Sequence, residues 1–389
     1  MADAPAVQRE QTSRRARLIA AAAQQWRDPH SAVRRAARAA LASADWSQPV
    51  IETALDGVLA DLDEDLADKL IRAYSTDTSV RALVVLPGNI VGPAVACAFC
   101  VACAGATATL KVSHAERGLA GVVGAQFDAL GPPLRASIEA RYWEGGDAAV
   151  EAAVLAAVDR IVAFGDDETI ADIARRRPAD VALVAYGRAY SVGFVRAHAD
   201  LRGAAAGAAQ DICMFDQRGC MSPQTIYVEG DQARTLRFAR LLAEAISAHS
   251  RLLPRAKPWL EEAAALSGLL RRLAVNALDA GGAQLDGVIL GPQVEGCPQF
   301  AVVAQAYGPP TCAGFGRVAV VKPCTDARQL SQALRASPWK LETVGIAGSC
   351  DLEPEIATAR PSRVCALGAM QRPPFGYRPR VADFAGPAA

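Results

Sequence analysis

Cys220 is the residue of this chain that is best placed to act as a nucleophile. It lies in a run of turn-forming residues, Gly219-Cys220-Met221-Ser222-Pro223, just ahead of a strand-like stretch over residues 225–228. A cysteine that only fills space usually sits in an apolar periodic segment, whereas a reactive thiol needs room for its substrate and polar neighbours that favour the thiolate. The sequence therefore predicts nucleophilic catalysis by Cys220.

The segments on both sides of Cys220 alternate between strand and helix patterns. Such alternation indicates parallel sheets flanked by helices, so we expect an α/β fold. Two helices are predicted first, over residues 15–44 and 50–74, and the first fifteen residues are expected to be frayed. Ahead of Cys220 the predicted strands are residues 82–86, 107–112, 160–164, 181–185 and 191–195, and the predicted helices are residues 93–104, 118–130, 147–158 and 168–176. Behind it the predicted strands are residues 225–228, 287–290, 301–304 and 317–321, and the predicted helices are residues 231–248, 258–279 and 326–336.

The composition argues against several classes of protein. The 389 residues carry no net charge and the basic residues are dispersed, which disfavours a nucleic-acid or anionic-membrane partner. The longest apolar stretch, residues 83–110, is interrupted by prolines and glycines and does not read as a membrane span. The ten cysteines lie mostly in apolar runs and no apolar leader opens the sequence, so we expect reduced thiols and a cytoplasmic location.

No metal site is predicted. Cys97, Cys100 and Cys103 have the spacing of an iron–sulfur run, but a fourth cysteine is missing and the apolar, helical setting favours simple packing. The four histidines contain no pair at zinc-ligand spacing.

The segment around the nucleophile, residues 213–224, resembles the active-site segment of acyl-CoA reductases of the bacterial bioluminescence type. That family is a branch of the aldehyde dehydrogenase superfamily. Further similar segments follow in family order from about residue 80 to residue 375, among them Tyr142-Trp143-Glu144-Gly145-Gly146-Asp147 and three weaker C-terminal matches. The resemblance implies an aldehyde-dehydrogenase-like fold, with two doubly wound α/β lobes and the active site in the cleft between them.

Four parts of the chain are expected on this basis. Residues 1–80 form a helical segment that packs on the cofactor lobe, and residues 81–209 form a Rossmann-like NAD(P)-binding domain. Residues 210–355 form the catalytic thiol domain. Residues 356–389 return to the first lobe or contact another subunit.

Pro87-Gly88-Asn89 follows the first predicted strand. The residues alone leave two interpretations open, a common turn or a side-chain amide at the edge of a parallel sheet where ligands bind. The resemblance implies the second, in which Asn89 and the Cys220 backbone N–H hold the substrate oxygen and Pro87 lies beside the cofactor.

Lys111-Val112-Ser113 follows the second predicted strand. Taken alone, Lys111 is better interpreted as a solvated lysine at a strand end. The segment resembles the superfamily's pair that contacts the adenosine ribose of the cofactor. Lys111 and Ser113 can share a ribose 2′-phosphate that a glutamate would repel, so NADPH is favoured and NADH is the alternative.

Gly165-Asp166-Asp167-Glu168 is similar to a Gly-Asp-Glu helix start in the same branch. Gly165 would let a cofactor approach the backbone, and the helix start would direct N–H groups at a phosphate, so Gly165 and Glu168 are predicted cofactor residues. Asp166 and Asp167 can instead cap the helix and occupy the same donors, which leaves direct phosphate contact open.

Tyr186 stands where the superfamily places its glutamate base, 34 residues ahead of Cys220. An ordinary phenol is a poor base at neutral pH, and an enzyme that must protect a thioester from water gains by losing the glutamate. Two interpretations of Tyr186 stay open, an active-site residue and a core tyrosine whose hydroxyl is hydrogen-bonded.

The predicted reaction is reduction of an acyl thioester to an aldehyde, with coenzyme A or an acyl-carrier protein leaving from the acyl group. The resemblance also implies a homo-oligomer and a downstream enzyme that uses the aldehyde. One alternative is an aldehyde or semialdehyde dehydrogenase working toward the acid, which the missing glutamate disfavours. The other is a catalytically idle scaffold homologue, which the presence of Asn89, Lys111 and Cys220 disfavours.

Overall fold

In a computed structural model the chain divides into two compact units. The first comprises Met1–Gly187 and Pro373–Ala389, and the second comprises Arg188–Arg372. The structure describes residues 4–42, 44, 46–75, 79–131, 134, 137–145, 147–256, 263–264, 266–268, 271, 287–294, 297–312, 316–349 and 354–386.

Four helices open the first unit: α1 (Ala4–Arg27), α2 (Ala32–Ala40), α3 (Gln48–Gly57) and α4 (Glu64–Tyr74). The expectation of a frayed start is wrong, because α1 already begins at Ala4 in a sequence rich in strong helix formers. The helix predicted over residues 15–44 is two helices, since the Ser31 side chain accepts a hydrogen bond from the Arg34 N–H and caps a new one.

A five-stranded parallel sheet forms the body of the first unit, in the order β3-β2-β1-β4-β5. Its strands and helices are β1 (Arg81–Val85), α5 (Pro93–Ala104), β2 (Thr107–Lys111), α6 (Leu119–Ala129), β3 (Ile138–Arg141), α7 (Ala148–Leu155), β4 (Arg160–Phe164), α8 (Asp167–Arg176) and β5 (Ala182–Tyr186). The chain winds outward from β1 in both directions, which is the doubly wound arrangement that the alternation predicted. Strand β3 was not predicted.

A seven-stranded sheet forms the body of the second unit, in the order β14-β13-β6-β7-β12-β11-β8, and β8 is antiparallel to its neighbour. Its strands and helices are β6 (Ala189–Val195), α9 (Leu201–Cys213), β7 (Pro223–Glu229), α10 (Gln232–Leu252), β8 (Val288–Leu290), β11 (Ala301–Ala304), β12 (Val318–Cys324), α11 (Ala327–Arg335), β13 (Lys340–Ala347), α12 (Pro354–Ala357) and β14 (Arg363–Ala366). A separate two-stranded ladder joins β9 (Gln293–Val294) to β10 (Cys297–Pro298). The helix predicted over residues 258–279 falls for the most part outside the described residues.

Strand β6 lies in the second unit, although the sequence analysis assigned residues up to 209 to the first. It pairs in parallel with β7 on one side and β13 on the other. Its two faces belong to different hydrophobic cores, since Val192 and Phe194 pack on one side of the sheet and Val195 packs on the other. A strand that is buried on both faces is typical of the centre of a parallel sheet.

The C-terminal tail, residues 373–386, belongs to the first unit. Its short 3₁₀ turn, Val381–Phe384, packs against α5. The Arg160 guanidinium donates to the Asp383 and Ala385 carbonyl oxygens, each at 2.8 Å. Among the helices that the structure describes, none has both the length and the apolar content to cross a bilayer.

Candidate active site

Cys220 lies in the connection between α9 and β7, which we call the nucleophile turn (residues 214–223). Phe215, Asp216 and Gln217 have φ angles of 54°, 51° and 63°. Three successive non-glycine residues in the left-handed region cost energy and persist only where their surroundings hold them. The turn is therefore set by tertiary contacts rather than by local preference.

Among the eight cysteines whose burial the structure describes, Cys220 is the exposed one. The others are buried or half-buried, and burial raises the pKa of the Cys213 thiol and raises that of Cys324 to about 12. Cys97, Cys100 and Cys103 all lie buried in α5, where they pack as small apolar side chains. Cys220 is therefore the most accessible thiol among these eight cysteines.

A buried ion pair anchors the start of the nucleophile turn. The Arg317 Nε and Nη2 atoms lie 2.8 Å and 2.7 Å from Asp216 Oδ1, and the two side chains are 0% and 1% exposed. Arg317 also donates to the Leu253 carbonyl at 2.7 Å and to Ser250 Oγ at 2.8 Å. The second Asp216 oxygen accepts from the Ala256 N–H at 3.0 Å. These contacts satisfy both ions, as a buried charge requires.

Hydrogen bonds also hold the backbone of Cys220 itself. Ser191 Oγ donates to the Cys220 carbonyl oxygen at 2.7 Å, and the same hydroxyl accepts from the Thr343 N–H at 3.0 Å. Gln217 Nε2 donates to the Pro223 carbonyl at 2.8 Å across the turn. Hydrogen bonds from β6 and from within the nucleophile turn thus hold the backbone around Cys220, and Ser191 of β6 is itself held by the Thr343 N–H of β13.

Asp211, near the end of α9, ties the same region to a C-terminal segment of the second unit. Its carboxylate accepts from the backbone N–H groups of Gly368 at 2.5 Å and Met370 at 3.0 Å. Gln371 Nε2 donates at 2.6 Å to the Oγ of Ser222, two residues after Cys220. Burial raises the pKa of Asp211 to about 7, although the backbone donors act in the opposite direction.

The first unit contains a cavity of about 470 Å³ at the carboxyl end of its sheet. We call it the first-unit cavity, and Val85, Lys111, Trp143, Glu151, Glu168 and Arg176 are among its lining residues. Ligands of doubly wound folds bind at this edge of the sheet, and the volume lies in the range of small-molecule sites, about 300–1,000 Å³.

The charged groups of this cavity pair with one another. Lys111 Nζ lies 3.9 Å from Glu151 Oε1 and 5.5 Å from the centre of the Trp143 ring. Arg176 donates to the other Glu151 oxygen and lies 2.5 Å from Asp172 Oδ2. Glu151 therefore stands between the two cations of the cavity.

The segment from Gly165 to Glu168 begins α8 at the cavity wall. The Asp166 carboxylate accepts from the Thr169 N–H at 2.8 Å, so this donor is already occupied by the cap. A Cβ at Gly165 would lie 2.8 Å from Thr169 Cγ2, so the glycine is required by the close approach of the helix to its own first turn. Glu168 lines the cavity and is exposed.

Pro87 and Asn89 lie just beyond β1, beside the segment that follows β2. The two segments touch closely, since a Cβ at Gly88 would lie 3.3 Å from Ser113 Cβ. The Ser113 hydroxyl and the Trp143 indole N–H are buried without a hydrogen-bond partner. Buried polar atoms are normally satisfied, so these two fit a ligand that brings hydroxyl or phosphate oxygens, as the adenosine half of a nicotinamide cofactor does.

Tyr186 ends β5 in the first unit and contacts the C-terminal tail. Its hydroxyl donates to the Asp383 carboxylate, and its ring stacks on Phe164 at a centroid distance of 4.7 Å. The Arg378 guanidinium lies 5.0 Å from the ring centre. Burial, and then the hydrogen bond to Asp383, raise the pKa of Tyr186 far above its usual value. These contacts are those of a core tyrosine whose hydroxyl is hydrogen-bonded.

The structure gathers Pro87, Lys111, Ser113, Gly165 and Glu168 at one edge of the first sheet, and it displays Cys220 on the nucleophile turn of the second unit. Five further residues of these two regions are not among the predicted site residues: Asp211, Ser191 and Arg317 around the nucleophile turn, and Glu151 and Arg176 in the first-unit cavity. Apart from the helical position of Glu151 and Arg176, which resembles that of any surface charge, the sequence carries no signal for them.

Comparison with known proteins places these observations in a family. The family model described as acyl-CoA reductase (LuxC) matches residues 7–378. A long-chain acyl-protein thioester reductase of Photorhabdus laumondii is 32% identical over 161 residues, which cover 41% of this chain and 33% of that protein. Long-chain acyl-protein thioester reductase 2 of Photobacterium leiognathi is 31% identical over 136 residues, 35% of this chain and 28% of that protein. The matched part thus spans about a third of these relatives.

Solved structures with a similar fold include aldehyde dehydrogenases. A NAD-dependent benzaldehyde dehydrogenase of Corynebacterium glutamicum matches with a TM-score of 0.70 at 17% identity, over 96% of this chain and 84% of that one. The aldehyde dehydrogenase KauB of Pseudomonas aeruginosa matches with a TM-score of 0.69 at 16% identity, over 92% of this chain and 76% of that one. The predicted aldehyde-dehydrogenase-like fold is confirmed.

Proposed function

Because the chain belongs to the acyl-CoA reductase (LuxC) family, we propose that it reduces an acyl thioester to an aldehyde by covalent catalysis at Cys220. The observation that carries the proposal is an exposed thiol on a turn that a buried ion pair holds in place. Such preorganisation supports nucleophilic attack, since the thiol need not be positioned during the reaction.

In the first step the Cys220 thiolate attacks the carbonyl carbon of the acyl thioester. A bond forms between Sγ and that carbon, and on this proposal the Asn89 amide and the Cys220 N–H stabilise the oxyanion. Collapse breaks the bond to the carrier thiol, which leaves as a thiolate, and the acyl group stays on Cys220. In the second half Cys220 is the leaving group, since reduction of its thioester carbonyl and collapse expel the thiolate and free the aldehyde.

A reduced nicotinamide cofactor, when bound, supplies the hydride for the second half. In the first unit we assign Lys111, Trp143 and Ser113 to its adenosine half, with Pro87, Gly165 and Glu168 beside it. The cavity volume and the two buried polar atoms without partners support this assignment. Lys111 and Ser113 favour NADPH over NADH.

Release of the acyl group from Cys220 as a carboxylic acid would need a base that activates water. The position 34 residues ahead of Cys220 holds Tyr186, whose hydroxyl already donates to Asp383 and whose pKa is raised. A phenol in that state does not take a proton from water near neutral pH. This supports reduction over the oxidative alternative.

The acyl carrier is a further part of the proposal. The names of the relatives mention a long-chain acyl group on a protein, which supports a protein-bound thioester beside acyl-CoA as substrate. A homo-oligomer and a downstream enzyme that consumes the aldehyde remain predictions.

Intact-mass measurement after incubation with acyl-CoAs, without reductant, tests the covalent step. We expect wild type to gain one acyl mass and Cys220→Ala to gain none, with turnover lower by at least about a thousandfold. Cys312→Ala removes a half-buried thiol of the same unit and is the matched control, which should still acylate.

Two results would count against the proposal. An acylated Cys220→Ala protein with native circular dichroism would remove Cys220 from the reaction. Acid formed from aldehyde and oxidised cofactor, with no aldehyde formed from acyl-CoA, would favour an oxidising dehydrogenase.

A further inference from the structure

Glu151 is a carboxylate of the first-unit cavity that the proposed reaction does not use. It lies on α7, and its side chain is 12% exposed. One of its oxygens lies 3.9 Å from Lys111 Nζ and the other accepts from Arg176. The other α7 side chain that lines the cavity, Leu155, is apolar. Because the Glu151 carboxylate contacts both Lys111 and Arg176, its charge acts on both cations at once.

The two cations differ in how easily a ligand can reach them. The Lys111 side chain is 19% exposed at the end of β2, and the Arg176 side chain is 41% exposed in the last turn of α8. Partly solvated ion pairs contribute little to stability and can exchange partners at low cost. An incoming anion can therefore take over either cation from Glu151.

The carboxylates of the cavity limit how strongly its two cations can attract a ribose 2′-phosphate. Two cations, Lys111 and Arg176, face four carboxylates, those of Glu151, Asp166, Glu168 and Asp172. A ribose 2′-phosphate adds up to two negative charges and needs both cations, whereas a ribose 2′-hydroxyl can donate to a carboxylate. Glu151, the carboxylate nearest to both cations, should therefore weaken binding of a 2′-phosphorylated ribose more than binding of an unphosphorylated one.

We infer that Glu151 sets the selectivity of this cavity between 2′-phosphorylated and unphosphorylated adenine dinucleotides. The inference rests on the proposed function, which assigns a nicotinamide cofactor to the cavity. Glu151 restrains binding of the 2′-phosphate by neutralising Lys111 and Arg176. Arg176 is the second phosphate-binding cation, beside Lys111.

The test uses two fragments that carry no nicotinamide, adenosine 2′,5′-bisphosphate and 5′-AMP. Dissociation constants are measured by calorimetry at low salt on the whole chain, since salt screens the effect. We expect Glu151→Gln to raise the preference for the bisphosphate about tenfold and Arg176→Met to lower it about tenfold. The ratio of the dissociation constants of NADH and NADPH should move in the same directions.

Asp159→Asn is the matched control, because it removes one carboxylate of the same unit at the amino ends of β1 and β4. Asp159 pairs there with Arg81 at 2.6 Å on the surface. This variant should leave the preference unchanged.

Three results would overturn the inference. If Glu151→Gln weakens both fragments equally, Glu151 only supports the shape of the cavity. If Asp159→Asn shifts the preference as much as Glu151→Gln, the effect is one of net charge and not of position. If neither fragment binds wild type, the proposed cofactor site fails as well, and that outcome differs from the first, in which binding occurs without a change in selectivity.

Discussion

Arg317 and Arg176 each pair with a carboxylate near a proposed site, yet their surroundings differ sharply. In the second unit Arg317 and its partner Asp216 are 0% and 1% exposed. In the first unit the side chains of Arg176 and Glu151 are 41% and 12% exposed. One pair is sealed in the interior, and the other borders a cavity.

The two ion pairs therefore differ in what they can do. Removing one partner of a buried pair leaves an uncompensated charge, so the pair fixes its geometry permanently. A partly solvated pair holds its geometry weakly and yields to a charged ligand. On the proposed function, a buried pair suits the nucleophile turn, and a partly solvated pair suits a site that takes up and releases a cofactor.

Removing Arg317 should have the largest effect, and it tests directly whether the buried ion pair supports the nucleophile turn. We expect Arg317→Met to lower the free energy of unfolding by about 3–5 kcal/mol, because Asp216 stays buried and unpaired. Acylation of Cys220 should fall with it, since the left-handed residues of the turn lose their anchor. Urea unfolding followed by circular dichroism measures the first effect, and intact mass measures the second.

Arg176→Met is the matched control for Arg317→Met. It should cost less than about 1 kcal/mol, as expected for a solvent-accessible pair. The double variant Asp216→Leu with Arg317→Met should recover part of the lost stability, because no isolated charge is left. Equal losses from Arg317→Met and Arg176→Met would end the distinction between the two regions.

The first unit should also contain a contact that stabilises the fold, the hydrogen bond between Tyr186 and Asp383. Tyr186→Phe removes the donor to the Asp383 carboxylate and should cost about 1.5–3 kcal/mol, the usual range for a hydrogen bond to a charged group. Turnover should stay within about threefold of wild type, because the proposed reaction does not use the Tyr186 hydroxyl.

Tyr307→Phe is the control for Tyr186→Phe. Its exposed hydroxyl donates to the Gln329 carbonyl at 2.9 Å, so it should cost less. A large loss of turnover in Tyr186→Phe with unchanged stability would return Tyr186 to the active site.

The sequence predicts the local parts of this architecture well. Strands β1 and β4 are short, mostly apolar runs followed by helices, so their type follows from pattern alone. The turn-forming residues around Cys220 predict a turn there, but the left-handed conformation of residues 215–217 depends on tertiary contacts that the local pattern does not contain. Strand β3 was missed because it is an edge strand of four residues of which one, Ile138, is buried.

Long-range placement is what the sequence does not contain. Strand β6 is an apolar run that fits either unit, and only its pairing with β7 and β13 assigns it. The strand pattern predicted over residues 317–321 gives no indication that the Arg317 side chain is buried against Asp216, 101 residues earlier. Glu151 and Arg176 lie on different helices, and their contact depends on how those helices pack on the sheet.

The smallest predicted effect concerns a feature that the two units share, a buried carboxyl that accepts backbone hydrogen bonds. Burial raises the pKa of Glu116 in the first unit and of Asp211 in the second to about 7. A carboxyl with a raised pKa stabilises the fold most when protonated, so its contribution is complete below the ordinary pKa and is lost as pH rises through about 7.

When the pH falls from 8 to 6, protonation of each carboxyl should therefore raise the free energy of unfolding of wild type by about 1 kcal/mol. Asp211→Asn and Glu116→Gln should each lose that increment, so the gap between wild type and variant widens by this amount as the pH falls. Urea unfolding at the two pH values measures the gap. Asp159, whose pKa is lowered by Arg81, is the control, and its Asn variant should show no change in this window. A gap that stays constant for Asp211→Asn but widens for Glu116→Gln would mean that the two units differ here as well, with the carboxyl behind the nucleophile turn ionised throughout.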